Sequence, residues 1–197
     1  MSSEYNVKVE PQNVKIDDIE EMNIKIVKNK PWFLILAGNR IEDSSIFFSD
    51  DSTGSYASIK KNGNIEYREK IMLDNKIDVI RTIAITCGVL KLSKIVYSLH
   101  SDTRFTFLLS IDNLKGKTIL ENEDLGIFGE IKIDRETVKI KKEILFDKNF
   151  NAYKVVKDII VDFCNQIEFP FDDVLLQKEI DNAISVLDNP IMFVKKI

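Results

Sequence analysis

Apolar residues near the start of the chain alternate with charged ones, Val7 and Val9 being separated by Lys8 and followed by Glu10. A period of two predicts a short strand, stopped by Pro11, which has no backbone N–H to continue a ladder. Asp17-Asp18 stands where it can cap a short helix through Ile19, Met22 and Ile26, although Ile24, Lys25 and Ile26 also suit a strand. Trp32 to Ala37 is a continuous apolar run ended by Gly38-Asn39, which predicts a buried strand. Ser45 to Ser49 predicts another, followed by the turn formers Asp50-Asp51-Ser52-Thr53-Gly54. Tyr56 to Lys60 and Ile65 to Glu69 flank Asn62-Gly63-Asn64, a strong hairpin signal.

From Asn75 the period changes. Ile77, Ile80, Ala84 and Cys87 fall on one helical face, with Asp74 or Asn75 as cap and Gly88 as a place for the helix to weaken or end. Lys94 to His100 and Arg104 to Ile111 then predict a second hairpin, with Phe105, Phe107, Leu109 and Ile111 on one face of a central core strand. A third hairpin is expected from Ile127 to Ile133 and Val138 to Leu145, turning through Asp134-Arg135-Glu136. Tyr153, Val156, Ile160, Phe163 and Ile167 keep helical spacing up to Pro170. Asp172 can cap a last helix carrying Leu176, Ile180, Ala183, Ile184 and Leu187, closed by Asn189-Pro190.

The pattern predicts an α+β protein: a mostly antiparallel sheet of seven to nine strands built from hairpins, one internal helix and a C-terminal helical pair. At 197 residues the chain is expected to form a single domain, residues 1–197. Residues 1–147 would be mainly β with one helix, and 148–197 a helical extension packed on them. Strands do not alternate with helices, so a parallel nucleotide-binding sheet is not expected.

Composition narrows the classes. Hydrophobic residues at 44% and charged residues at 30% suit a globular chain and not a disordered one. Net charge is -4, which disfavours wholesale coating of nucleic acid or anionic membrane. Cys87 and Cys164 form no C-x-x-C pair, and the expected state is reduced and packed. The N-terminus has neither the basic region nor the apolar core of a signal peptide, and no apolar run reaches the ~18 residues of a bilayer span. A cytoplasmic location is the expectation. The 29 Ile and 23 Lys suggest an AT-rich genome; three Gln fit a thermophile, and 15 Asn argue against one.

Candidate chemistry is sparse. Gly116-Lys117-Thr118 resembles the end of a phosphate loop, but the required Gly five positions earlier is Ile111. Asp50-Asp51 and the polar residues around them form the most site-like stretch. Counted from Asp50 as a calcium loop, however, the sixth residue is Ser55 and the twelfth is Lys61. His100 is the only histidine, which removes multi-His zinc sites, and its neighbours Ser101 and Asp102 cannot converge on it as a triad. Of the acidic pairs Asp17-Asp18, Asp50-Asp51 and Asp172-Asp173, two sit where helix caps are expected.

Lys139-Ile140-Lys141-Lys142 puts Lys139 and Lys141 on one strand face, near Lys132 and Arg135 through the hairpin. It lacks interleaved aromatics for base stacking and reads better as a solvated or edge-protecting face. Phe47-Phe48, Phe169 with Phe171, and Met192-Phe193-Val194 need cover on more than one side, by packing within the chain or by self-association. No catalytic, cofactor-binding or metal-binding residue is assigned, and no cofactor is expected.

In whole-chain character this sequence resembles the accessory small subunit of archaeal type III-B CRISPR RNA-targeting complexes. The resemblance lies in Trp32-Phe-Leu-Ile-Leu, Arg104-Phe-Thr-Phe-Leu-Leu-Ser-Ile and the two terminal helices, without a diagnostic motif that would carry functional residues over. It implies a non-catalytic homodimer that docks on other protein subunits of a ribonucleoprotein in antiviral defence, with RNA contact at most indirect and no membrane. Three other classes stay open: a virus- or plasmid-encoded inhibitor or immunity protein acting by binding, an enzyme with an unrecognised carboxylate site that includes Asp50 and Asp51, and nucleic-acid binding through the Lys139–Lys142 face.

Overall fold

The computed structural model describes residues 3–29, 37–50, 54–71, 76–98, 100, 102–122, 125 and 129–188, the side chains of 186–188 excepted. The strands are β1 (Glu4–Pro11), β2 (Gly38–Glu42), β3 (Ser45–Asp50), β4 (Ser55–Lys60), β5 (Ile65–Lys70), β6 (Lys76–Ile77), β7 (Thr103–Asp112), β8 (Thr118–Ile119) and β9 (Thr137–Phe146). The helices are α1 (Ile19–Lys28), α2 (Val79–Tyr97), α3 (Ala152–Gln166) and α4 (Asp173–Asp188). Seven strands form one antiparallel sheet in the order β2-β3-β4-β5-β1-β7-β9, and β6 pairs with β8 in parallel beside it. The chain is therefore α+β and mostly antiparallel, as its pattern predicts.

Alternation puts one face of the sheet in the core. Tyr5, Val7 and Val9 of β1, Phe105, Phe107, Leu109 and Ile111 of β7, and Val138, Ile140 and Ile144 of β9 are all buried. Each fully buried Phe or Leu contributes about 2–3 kcal/mol of transfer free energy. The helices supply the other half of this core. α2 is buried nearly all round, and its hydroxyls fold back on its own backbone: Thr86 Oγ1 donates to Thr82 O at 2.8 Å and Ser93 Oγ to Val89 O at 2.8 Å. Those bonds let polar side chains sit inside the core without unmet donors.

Local chemistry sets several boundaries. Asp18 caps α1, its Oδ1 accepting from the N–H groups of Glu20 and Glu21. Asp172 does the same for α4 through Val174 and Leu175. In the β4–β5 turn Gly63 has φ +79°, and a Cβ there would come within 2.7 Å of Val14 Cγ1. Only glycine fits that position, and its carbonyl accepts the Tyr97 hydroxyl at 2.9 Å, tying the hairpin to the end of α2.

Four local expectations are corrected. The α2 cap is Asp78 rather than Asp74 or Asn75, because Ile77 belongs to β6. Gly88 does not end the helix; it is buried mid-helix. Lys94 to Tyr97 are helical and not the first strand of a hairpin, since Ile83, Leu90 and Tyr97 at heptad spacing extend one buried face. Short β-branched apolar runs do not separate strand from helix by local pattern alone.

Ile131 and Ile133, expected to pair with the strand at Val138–Leu145, instead bond back to the Lys117–Ile119 segment: Ile119 N donates to Ile131 O and Ile133 N to Lys117 O. β9 takes β7 as partner over ten positions, which matches Val138, Ile140 and Ile144 to the apolar face of β7. The helix ending before Pro170 stops at Gln166, with Glu168 at φ +55°. The run Trp32 to Leu36 and the segment Met192 to Val194 lie outside the described residues.

Candidate functional site

Among the described residues, all four helices contact the sheet or one another on the core side, and no helix lies over the opposite face. That face is read directly from the register. One row across the strands is Arg40, Phe47, Ser58, Glu66, Lys8, Leu108 and Lys141. The next is Gly38, Ser49, Tyr56, Arg68, Asn6, Ser110 and Lys139. Together they hold five cations, Arg40, Arg68, Lys8, Lys139 and Lys141, against the single carboxylate of Glu66. The flanking rows carry Glu42, Glu10 and Glu143 on one side and Glu4 and Asp112 on the other, with Lys60 at the end of β4 and Lys70 at the end of β5, opposite Glu4. A chain of net negative charge thus concentrates positive charge along the centre of one face.

The aromatic groups sit at the β3–β4 end. Phe47 and Tyr56 pack with ring centroids 6.0 Å apart, and the Arg40 guanidinium lies 5.4 Å from the Phe47 centroid. Phe47 and Phe48 point to opposite faces, Phe48 being fully buried. At the other end, Asn6, Lys8, Leu108, Ser110, Lys139 and Lys141 line a shallow depression. Asn6 Oδ1 is buried there with no hydrogen-bond partner. Glu66 is held by Arg68, whose Nη2 lies 2.5 Å from Glu66 Oε1, so the two charges offset each other; Arg40 lies 3.3 Å from Glu42 and Lys141 3.7 Å from Glu143 in the same way.

A second concentration of polar groups lies under the sheet. Glu69 is 6% exposed and accepts two bonds from Arg81 of α2, Nε to Oε1 at 2.7 Å and Nη2 to Oε2 at 2.5 Å. The Tyr67 hydroxyl donates to the same carboxylate, and the Tyr5 hydroxyl lies 3.0 Å from Thr82 Oγ1. Burial pushes both phenols far above the ordinary tyrosine range and raises the Asp78 carboxyl. These groups satisfy one another and join α2 to β5 and β1.

The residues singled out in sequence are scattered. Asp18 and Asp172 are caps, and Asp173 pairs with Lys157 at 3.3 Å. Asp50 ends β3 opposite Ser55, while Asp51 lies outside the described residues. His100 follows α2 in a turn, its N–H on Tyr97 O at 2.8 Å. Gly116 takes φ +82° in a turn feeding two-residue β8 instead of a helix. Cys87 and Cys164 are free and buried, and burial pushes each thiol up to about 12. Phe169 is in the core, with Phe171 packed against it.

The basic run is split by the pleat. Lys139 and Lys141 face the open side, whereas Lys142 pairs with Asp162 of α3 at 2.7 Å. The aromatics missing from that run are present on the same face, about ninety positions earlier in sequence. Only the register reveals this, since strands β3 and β4 reach β9 through three intervening strands.

No protein-family model and no curated protein matches the chain. Among the described residues no helix is long and apolar enough to cross a membrane, and no group of three or more His, Cys, Asp or Glu is placed to hold a metal ion.

Proposed function

We propose that the protein is a non-catalytic binding subunit of a larger cytoplasmic assembly, and that it works through the uncovered face of its seven-stranded sheet. The observation that carries this reading is the layout of that face: two adjacent rows gather five cations and an aromatic pair onto a rigid platform. Residues presented from a sheet keep fixed spacings, so a partner pays little for ordering them. An accessory role on a CRISPR ribonucleoprotein, as the whole-chain resemblance implies, is one form of this proposal, and homodimerisation would leave the face free if it used the helical side.

The test is an affinity pull-down from source cells with the wild-type chain and with Lys139→Glu/Lys141→Glu, each with and without ribonuclease. Stoichiometric partners recovered by wild type and lost with the variant support the reading. Recovery unchanged by the variant contradicts it.

A further inference from the structure

We infer that the occupant of the open sheet face is single-stranded RNA, running from the aromatic pair at β3–β4 towards the lysines of β9. The inference rests on the reading of this face as the binding surface. Three features of the face point to this chemistry.

The first is charge. Arg40, Arg68, Lys8, Lys141 and Lys139 follow one another across the strands in two adjacent rows; Arg40, Arg68 and Lys141 pair with Glu42, Glu66 and Glu143, surface pairs of small net worth that phosphate oxygens can replace. A phosphate backbone gains from a track of cations of this kind. The centre of a protein–protein interface is by contrast depleted of charge, with lysine among the residues it lacks.

The second feature is stacking surface. Phe47 and Tyr56 are the aromatic side chains in the two rows, and both are partly exposed. Aromatic rings on an open antiparallel sheet, flanked by arginine, form the sequence-tolerant platform on which unpaired bases stack. A duplex would keep its bases from those rings. From β3 to β9 the face spans five strand spacings, about 24 Å. That reach suits a site of roughly four nucleotides, the low end for single-strand binding folds.

The third feature selects the sugar. Asn6 Oδ1 lacks a hydrogen-bond partner and sits beside Ser110 and Lys8 in the depression at the basic end. Rotation of the Asn6 side chain would bring this unpaired acceptor to the surface of the depression, next to the cations that would hold phosphate, where it accepts a hydrogen bond from a ribose 2′-hydroxyl. Deoxyribose has no such donor.

Fluorescence anisotropy of labelled U12 with the purified full-length chain tests the inference at low salt, with dT12 and a 12-bp RNA duplex as comparisons. U12 is expected to bind with an affinity that falls steeply with salt, and at least about fivefold more tightly than dT12 or the duplex. Lys139→Glu/Lys141→Glu should weaken U12 about tenfold or more, and Phe47→Leu/Tyr56→Leu, which keep bulk but remove the rings, by about tenfold. The off-face charge reversal Lys154→Glu/Lys178→Glu should leave the affinity within about twofold. No binding of U12, equal binding of dT12, or equal losses from on-face and off-face reversals would overturn the inference. In the pull-down above, partners lost with the variant but unaffected by ribonuclease would overturn the RNA occupant while leaving the binding face standing.

Discussion

Gln166, the last residue of α3, forms two hydrogen bonds with the backbone of Lys139 in the edge strand β9: its Nε2 donates to Lys139 O at 2.9 Å, and its Oε1 accepts the Lys139 N–H at 3.2 Å. The side-chain amide stands in for a neighbouring strand, so one position of the edge is closed to pairing with another chain. Gln166→Ala should therefore lower stability by about 1 kcal/mol. It should also increase self-association, read by thermal denaturation together with size-exclusion chromatography. A monodisperse variant of unchanged midpoint would show that the edge needs no such cover.

Glu69 and Arg81 form a buried pair whose partners are costly to separate. Glu69→Ala leaves the guanidinium and the Tyr67 hydroxyl without their acceptor and should cost about 3–5 kcal/mol. The double replacement Glu69→Leu/Arg81→Leu removes both charges and should recover most of that loss. Chemical denaturation of Glu69→Ala and of the double variant checks this, and a double variant worse than Glu69→Ala would contradict it.

Asp78 caps α2 at a largely buried position, and that burial raises its carboxyl pKa. The folded state then holds the proton more tightly than the unfolded chain, whose Asp titrates near about 3.9. Protonation favours folding, so this group's contribution improves as pH falls from neutral through the raised pKa and is lost as pH rises. Asp78→Asn, which keeps the shape of the side chain without the charge, should stabilise the protein at pH 7, with an advantage that shrinks on acidification. Thermal midpoints of both proteins between pH 4 and 8 would show it; an advantage that grows towards acid would contradict the assignment.

The Cys87 and Cys164 thiols, pushed up to about 12 by burial, should not react with a thiol reagent in the native protein at pH 8 and should both react after denaturation. Fast reaction of either in the native state would place it at the surface.

Much of this architecture is legible from local pattern. The period-two alternation of β1 and β7, the Asn-Gly hairpin and the Asp18 and Asp172 caps depend on residues close in sequence, and each forms where the pattern puts it. Lys94 to Tyr97 and Ile131 to Ile133 are different, because what decides them is tertiary. The first continues a helix buried on all sides, and the second loses its expected partner to β7. The candidate face was hidden for the same reason. Phe47 and Lys141 are separated by 94 positions, and nothing in either neighbourhood states that they share a row. Glu69 and Arg81 are closer in sequence, but one reads as the end of a strand and the other as a helix surface until the two elements pack.

Site-specific photo-crosslinking in source cells locates the working surface most directly, with a photoreactive phenylalanine at Tyr56 on the sheet face and at Lys178 on α4. The account predicts a discrete crosslinked species from position 56 and none from position 178. Crosslinks from position 178 alone would place the working surface on the helical side and contradict it.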